Sequence, residues 1–278
     1  MDLGLAAQSP GGIGESIEDT GQLEDTGQLE DTGVVVSAVG RRFGSIDAVT
    51  GLDLSVTRHQ RIGVVGPSGC GKSTLLTMIC GLDEPDAGTI SVLGGSDRRD
   101  RLRSCAWMAQ RDLLLPWRTA LANVCLPLEN RGVPGRVARE RVLPLFTRLG
   151  LSGFEDRRPA QLSGGMRQRV AFARTLVADK DVLLLDEPFG ALDSITRADL
   201  QGWLGRALDA EPRTVVLVTH DVEEAILLCD EVIVMSARPG RVLARIPVRL
   251  PPTRSRRETL SAPEFVALRE RILAELEG

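Results

Sequence analysis

The chain has 278 residues, of which 42% are apolar and 26% charged, with a formal net charge of −4. That length supports one large or two small domains with a real core, and the composition is ordinary for a soluble globular protein. No run of about 18 uncharged apolar residues occurs, no basic stretch precedes an apolar block at the N-terminus, and five cysteines without a CxxC pair beside two histidines do not suit a disulfide frame or zinc site.

Residues 1–33 carry eight acidic residues and no basic one, including the six-residue repeat "EDTGQL" given twice and begun again. Acidic, glycine-rich and without aromatics, this tail is expected to be disordered. From Val34 the pattern changes. "VVVSAVG" and "GLDLSVT" read as short strands, and "RIGVVG" is an apolar run that ends in a glycine-rich loop. A helix is predicted over Lys72–Cys80, then strands at "GTISVL" and "SCAWMAQ". Between Gln110 and Ser163 the strand signal stops, and "TALANVCLPLENRG" and "GRVARERVLPLFTRLGL" read as helical. Residues 111–162 are therefore expected to form a helical insertion. Strands return at "DVLLLDE", "RTVVLVTH" and "EVIVMSA", alternating with helices, which predicts a mostly parallel sheet in an α/β domain over residues 34–250. Residues 251–278 form an extension closed by an amphipathic helix, with Ser261 as its expected N-cap.

Chemistry is concentrated in a few stretches. Gly66-Pro67-Ser68-Gly69-Cys70-Gly71-Lys72-Ser73-Thr74 matches G-x-x-x-x-G-K-[ST] between a strand and a helix. Glycines there let the backbone turn its N–H groups inward, and the helix start adds partial positive charge. Lys72 is expected to reach the outer phosphates of a nucleotide and Ser73 to ligate Mg²⁺. Only two of the 34 basic residues are lysines, Lys72 and Lys180, so a lysine inside this loop is no accident of composition.

Asp186 and Glu187 end an apolar strand, where open α/β sheets place their ligands. Asp186 is expected to hold Mg²⁺ and Glu187 to orient the attacking water. His220 ends another strand and is a candidate γ-phosphate contact, whereas His59 lies in a predicted turn. Gln110 ends a third strand and is placed to touch Mg²⁺ or the water. "QLSGGMRQRVAFARTL" begins at Gln161 with a second small-residue helix start, Ser163-Gly164-Gly165, far from the first loop in sequence.

"GPSGCGKST", Gln110, "LSGGM", "LLLDEP", "ALD" ending at Asp193, and His220 resemble, in that order, the motifs of ATP-binding cassette ATPases. The likeness covers about Val34 to Leu250. It implies an α/β P-loop core with a mostly parallel sheet, antiparallel β elements near the N-terminus and an inserted helical subdomain. It implies ATP with Mg²⁺, and two cassettes packed head to tail. Ser163, Gly164, Gly165 and Asp193 would then serve the partner chain's ATP. The signature differs from the commonest form in carrying Met166 where Gln is usual. With no tyrosine in the chain, Phe43 is the expected adenine-stacking ring.

"RDLLLPWRTALANVCLPL" resembles importer ATPases of the nitrate, sulfonate and taurine type. That likeness implies a membrane permease docked on the helical insertion around Leu113–Trp117, a solute-binding protein, no nucleic acid, and a peripheral place on the cytoplasmic face of the membrane. The ATPase of an exporter, or a soluble cassette ATPase, are the alternatives.

Overall fold

The computed structural model describes residues 32–251 and 255–277. The acidic repeat lies outside them, apart from its last two residues. Strand β1 (Thr32–Phe43) begins two residues before the expected Val34, and Gly33 already accepts a backbone hydrogen bond from Leu93 at 2.8 Å. It pairs antiparallel with β2 (Ile46–Thr57) and with β4 (Ala87–Val92), giving a three-stranded sheet in the order β2-β1-β4.

The second sheet holds β3 (Arg61–Val65), β5 (Cys105–Met108), β6 (Val182–Asp186), β7 (Thr214–Val218), β8 (Glu231–Met235) and β9 (Val242–Pro247) in the order β5-β6-β7-β3-β8-β9. All pairs are parallel except β8 with β9. Because side chains alternate across a strand, Val182 and Leu184 enter one apolar cluster while Leu183 and Leu185 enter another. A strand buried on both faces reads as a continuous apolar run, as the "VLLL" of β6 does.

Helix α1 (Lys72–Cys80) is enclosed between the two sheets, with Leu75, Leu76, Met78 and Ile79 all buried. The predicted insertion contains α3 (Ala120–Asn130) and α4 (Gly135–Arg148), both packed on α5 (Gly164–Val177). Phe172 of α5 meets Phe189 edge-on at 5.7 Å between ring centres, which ties that helix to the loop after β6. Helices α6 (Ser194–Ala210) and α7 (Val222–Leu228) follow β6 and β7.

Three elements were not legible in sequence: α2 (Arg98–Ser104), β9, and α8 (Arg256–Ser261). Ser261 ends α8 instead of capping α9 (Pro263–Glu277), and its hydroxyl donates back to Arg257 O at 2.9 Å. The extended backbone that Pro263 imposes on Ala262 separates the two helices. No described helix is long and apolar enough to cross a membrane.

Candidate active site

The first loop is shaped by close contacts. A Cβ on Gly66 would lie 2.9 Å from Met235 O, and one on Gly71 would lie 2.7 Å from Val49 Cγ2. Gly71 has φ +101° and caps α1 without a side-chain hydrogen bond, so the first N–H groups of that helix keep their donor capacity. Lys72 is buried, and its Nζ donates to Gly66 O at 2.7 Å and Pro67 O at 3.0 Å. Its ammonium therefore spans its own loop. Cys70 turns its thiol into the core below.

A cleft of about 420 Å³ opens above this loop. Ser68, Gly69, Gly71, Lys72, Ser73 and Thr74 form its floor, with Phe43, Ile46 and Ala48 at one end and Gln110, Asp186 and Glu187 at the other. Gly66, Pro67 and Cys70 shape the loop without lining the cleft. Phe43 is half-exposed, and the Arg41 guanidinium sits 4.8 Å from its ring centre. Arg41 is itself held by Asp83 and Asp86, each at 2.7 Å.

Parallel strands bring the remaining groups together, since their carboxyl ends all open on one edge. Asp186, at the tip of β6, is buried and lies beside the Ser73 hydroxyl, which favours its ionised form. Burial raises its pKa above the usual carboxylate range, with Glu187 adding to the rise. Gln110 follows β5 and His220 follows β7. The Glu187 carboxylate lies between them, 3.1 Å from Gln110 Nε2 and 3.3 Å from His220 Nδ1. With Nδ1 protonated, the second contact is a hydrogen bond. Ser73, Gln110 and Asp186 supply only oxygen donors of a hydroxyl, an amide and a carboxylate. That set suits a hard divalent cation of the Mg²⁺ kind, which takes one or two protein ligands and completes its shell with phosphate and water. An adjacent cation would also offset the burial that disfavours ionised Asp186. His59 stays outside the cleft, in a turn where its Nδ1 lies 2.9 Å from Pro212 O.

Ser163 caps α5, its hydroxyl accepting from Met166 N at 3.2 Å. Asp193 caps α6 in the same manner, through Ile195 N and Thr196 N, and these donors hold its carboxylate below the usual range. Neither cap lines the cleft, and Gly164 and Gly165 do not line it either.

Sequence reasoning missed two groups. Gln168 in α5 is buried, its Nε2 donating to Glu187 O at 2.8 Å and its Oε1 accepting from Ala191 N at 2.8 Å. It brackets the loop that holds Glu187 in a left-handed conformation, φ +47°, uncommon for a non-glycine residue. The available signal was an amide side chain five residues beyond the Ser163 cap, among mostly apolar inward positions. Arg238 also lines the cleft, its Nε donating to Gly69 O at 3.2 Å. Only the return of the chain after β8 brings it there.

A glycine-rich cradle at a helix start, with paired carboxylates at the tip of β6 two strands away in the same sheet, defines a P-loop nucleotide hydrolase. Residues 49–190 match the family model described as ABC transporter. An aliphatic sulfonates import ATP-binding protein of Rhodococcus jostii is 47% identical over 198 residues, covering 71% of this chain and 77% of its own. A sulfate/thiosulfate import ATP-binding protein of Gloeobacter violaceus is 43% identical over 75% of this chain and 61% of its own. Among solved structures, the dimeric ATP-binding cassette MJ0796 in a post-hydrolysis state with ADP and Pi aligns with TM-score 0.70 at 31% identity, covering 78% of this chain and 99% of that one. The chain belongs to the ABC transporter ATPase family, and it binds and hydrolyses ATP.

Proposed function

We propose that this chain is the ATPase subunit of a membrane importer, and that the Glu187 carboxylate, held between Gln110 and His220 above the phosphate loop, is the group that orients and polarises the attacking water. That arrangement is the observation that carries the reading. Adenine stacks on Phe43, and the phosphates lie on the backbone N–H groups of the Gly66–Thr74 loop other than Pro67. Lys72 exchanges the carbonyls of Gly66 and Pro67 for the outer phosphates. Ser73, Gln110 and Asp186 hold Mg²⁺, which neutralises phosphate charge when bound. His220 contacts the γ-phosphate. Positioning and charge complementarity supply most of the rate in phosphoryl transfer.

Ser163, Gly164, Gly165 and Asp193 do not line their own cleft and, in this reading, complete the ATP site of a second copy. ATP then acts as a ligand of the closed dimer, and hydrolysis releases it. Residues 111–162 form the subdomain that meets the permease, within a cassette spanning residues 34–250. In support, Leu113, Pro116 and Trp117 are exposed on a loop whose backbone is fixed from within. Buried Asn123 accepts from Leu115 N at 2.8 Å and donates to Thr119 O at 3.0 Å, while Arg174 donates to Leu113 O at 2.8 Å. Leu114 is instead part of the core. Three exposed apolar residues on a rigid loop suit a partner surface. The relatives' names favour a small sulfur oxyanion such as a sulfonate, and the likeness of the Arg111–Leu128 stretch keeps taurine and nitrate in the reading, with delivery by a solute-binding protein and this subunit peripheral on the cytoplasmic face.

The test is the solution mass of Glu187→Gln with and without ATP and Mg²⁺. A monomer that dimerises only with ATP, and fails to do so when Ser163→Arg is added, is the expected result. A variant that still releases phosphate at the wild-type rate would remove the assignment of Glu187. Co-purification with a co-expressed importer permease, lost on Trp117→Glu, tests the docking surface.

A further inference from the structure

Behind His220 lies a buried carboxyl that the proposed hydrolysis does not use. Strand β7 ends at Val218, Thr219 is buried, His220 projects into solvent, and Asp221 caps α7. Thr219 Oγ1 accepts from Asp221 N at 3.0 Å and donates to Glu224 Oε2 at 3.0 Å. One hydroxyl thus closes the turn that carries His220, and the Glu224 carboxyl decides how that hydroxyl is oriented. Glu224 is only 4% exposed, and its second oxygen has no hydrogen-bond partner among the described residues. Arg197 of α6 braces the same turn from outside, 3.7 Å from Asp221 Oδ2, while its Nη2 donates to Leu192 O at 3.1 Å.

The charges around Glu224 oppose one another. Burial pushes its carboxyl up to about 7, and Asp221 and Glu187 add to the rise. The Thr219 hydrogen bond and Arg197 favour the ionised form. On the outer side of α7, Glu223 is paired with Arg269 of α9 at 3.1 Å, and the Cys229 thiol beyond the helix is itself raised by burial. Ionised, Glu224 accepts a charge-assisted hydrogen bond and fixes the Thr219 hydroxyl toward itself. Neutral, it carries an O–H of its own and no longer compels that orientation.

We propose that Glu224 is a positioning residue for His220: its ionised carboxylate, acting through Thr219, locks the turn that holds His220 against Glu187, and its protonation loosens that turn. The inference rests on the proposed role of His220 in hydrolysis, so it is tested with one readout that needs turnover and one that does not.

The chain contains two histidines, His59 and His220, which makes ring-proton NMR a direct probe. In the full wild-type chain the His220 ring signal should show a component with a midpoint near 7. Glu224→Gln should abolish that component and leave His59 unchanged. In steady-state ATPase assays, kcat should rise as pH increases through about 7. Glu224→Gln and Thr219→Val should both flatten that limb, with kcat about tenfold lower at alkaline pH and KM for ATP within about twofold. Thr219→Val keeps the test decisive if Glu224→Gln folds poorly. A His220 signal identical in wild type and Glu224→Gln, or a wild-type pH profile retained in Thr219→Val, would overturn the proposal. Undiminished hydrolysis by Glu187→Gln would instead overturn the catalytic reading while the NMR arm still reports on the turn.

Discussion

The two glycine-bearing helix starts of this chain, Gly66–Thr74 before α1 and Ser163–Gly165 before α5, look alike in sequence and are built for different reasons. At α1 the glycines are demanded from inside. Gly71 needs φ +101°, and a side chain on it would strike Val49 and Ala48. No side chain caps that helix, so its N–H groups remain for a ligand. At α5 a serine hydroxyl already caps the helix, and a Cβ on Gly164 would meet nothing closer than Arg167 Nη2 at 3.8 Å. The fold of this chain leaves room for a side chain at Gly164. A residue kept small where its own chain has space points to something approaching from outside. One device is internally constrained and lines the cleft; the other has open space at Gly164, though Gly165 is fitted against Ala191 O and Leu192 Cδ2 at 3.3 Å each, and does not line it.

The largest effect that would test this contrast is Glu187→Gln. Loss of turnover by at least about 100-fold is expected, with ATP binding retained, because general-base and water-orienting groups contribute on that scale; phosphate release and nucleotide binding measure the two halves. Retained turnover would leave the first device without its chemistry. Next comes the glycine pair. Gly71→Ala should destabilise the chain by about 1–3 kcal/mol and abolish ATP binding, since it forces strained backbone and a clash. Gly164→Ala should leave the melting temperature within about 2 °C while weakening ATP-driven dimerisation. Equal thermal losses in both would break the comparison.

Gln168→Met sharpens it further, because Gln168 lies on the open device's helix and holds the backbone of Glu187. Loss of its two hydrogen bonds should lower kcat about tenfold with little change in KM. A smaller effect concerns stability. Burial raises the Glu224 carboxyl from 4.5 to about 7 in the folded chain. The folded state then binds this proton more tightly than the unfolded state, so the contribution is fully present below pH 4.5 and lost as pH rises through 7. Denaturant titrations should show stability declining across that window in wild type, and less so in Glu224→Gln. Smallest of all, removing residues 1–31 should change ATPase activity less than about twofold, since a tail of that composition contributes little to a fold.

How much of this was legible in sequence depended on the range of the interaction. The phosphate loop, the "LLLD" strand and the helix at Lys72 announce themselves because backbone conformation, helix start and apolar runs are local properties. The α2 segment "RRDRLRS" gave no apolar stripe, yet it forms against α1, with Arg101 buried and donating to Met78 O at 2.6 Å. Strand β9 is an antiparallel edge whose outward residues are mostly polar or exposed, so no buried run marks it.

The sequence by itself determined the nucleotide chemistry: a loop that must curl around anions, carboxylates at a strand tip and a histidine at another are specified by residue type and order. Only tertiary structure decided which groups share the cleft. Gln110, Glu187 and His220 are far apart along the chain and meet because β5, β6 and β7 lie side by side and parallel. The same adjacency places Gln168 under Glu187 and Glu224 behind His220. Spacing along the chain carries no information about such pairs, since the contacts that create them form only once the sheet has closed and its helices have packed.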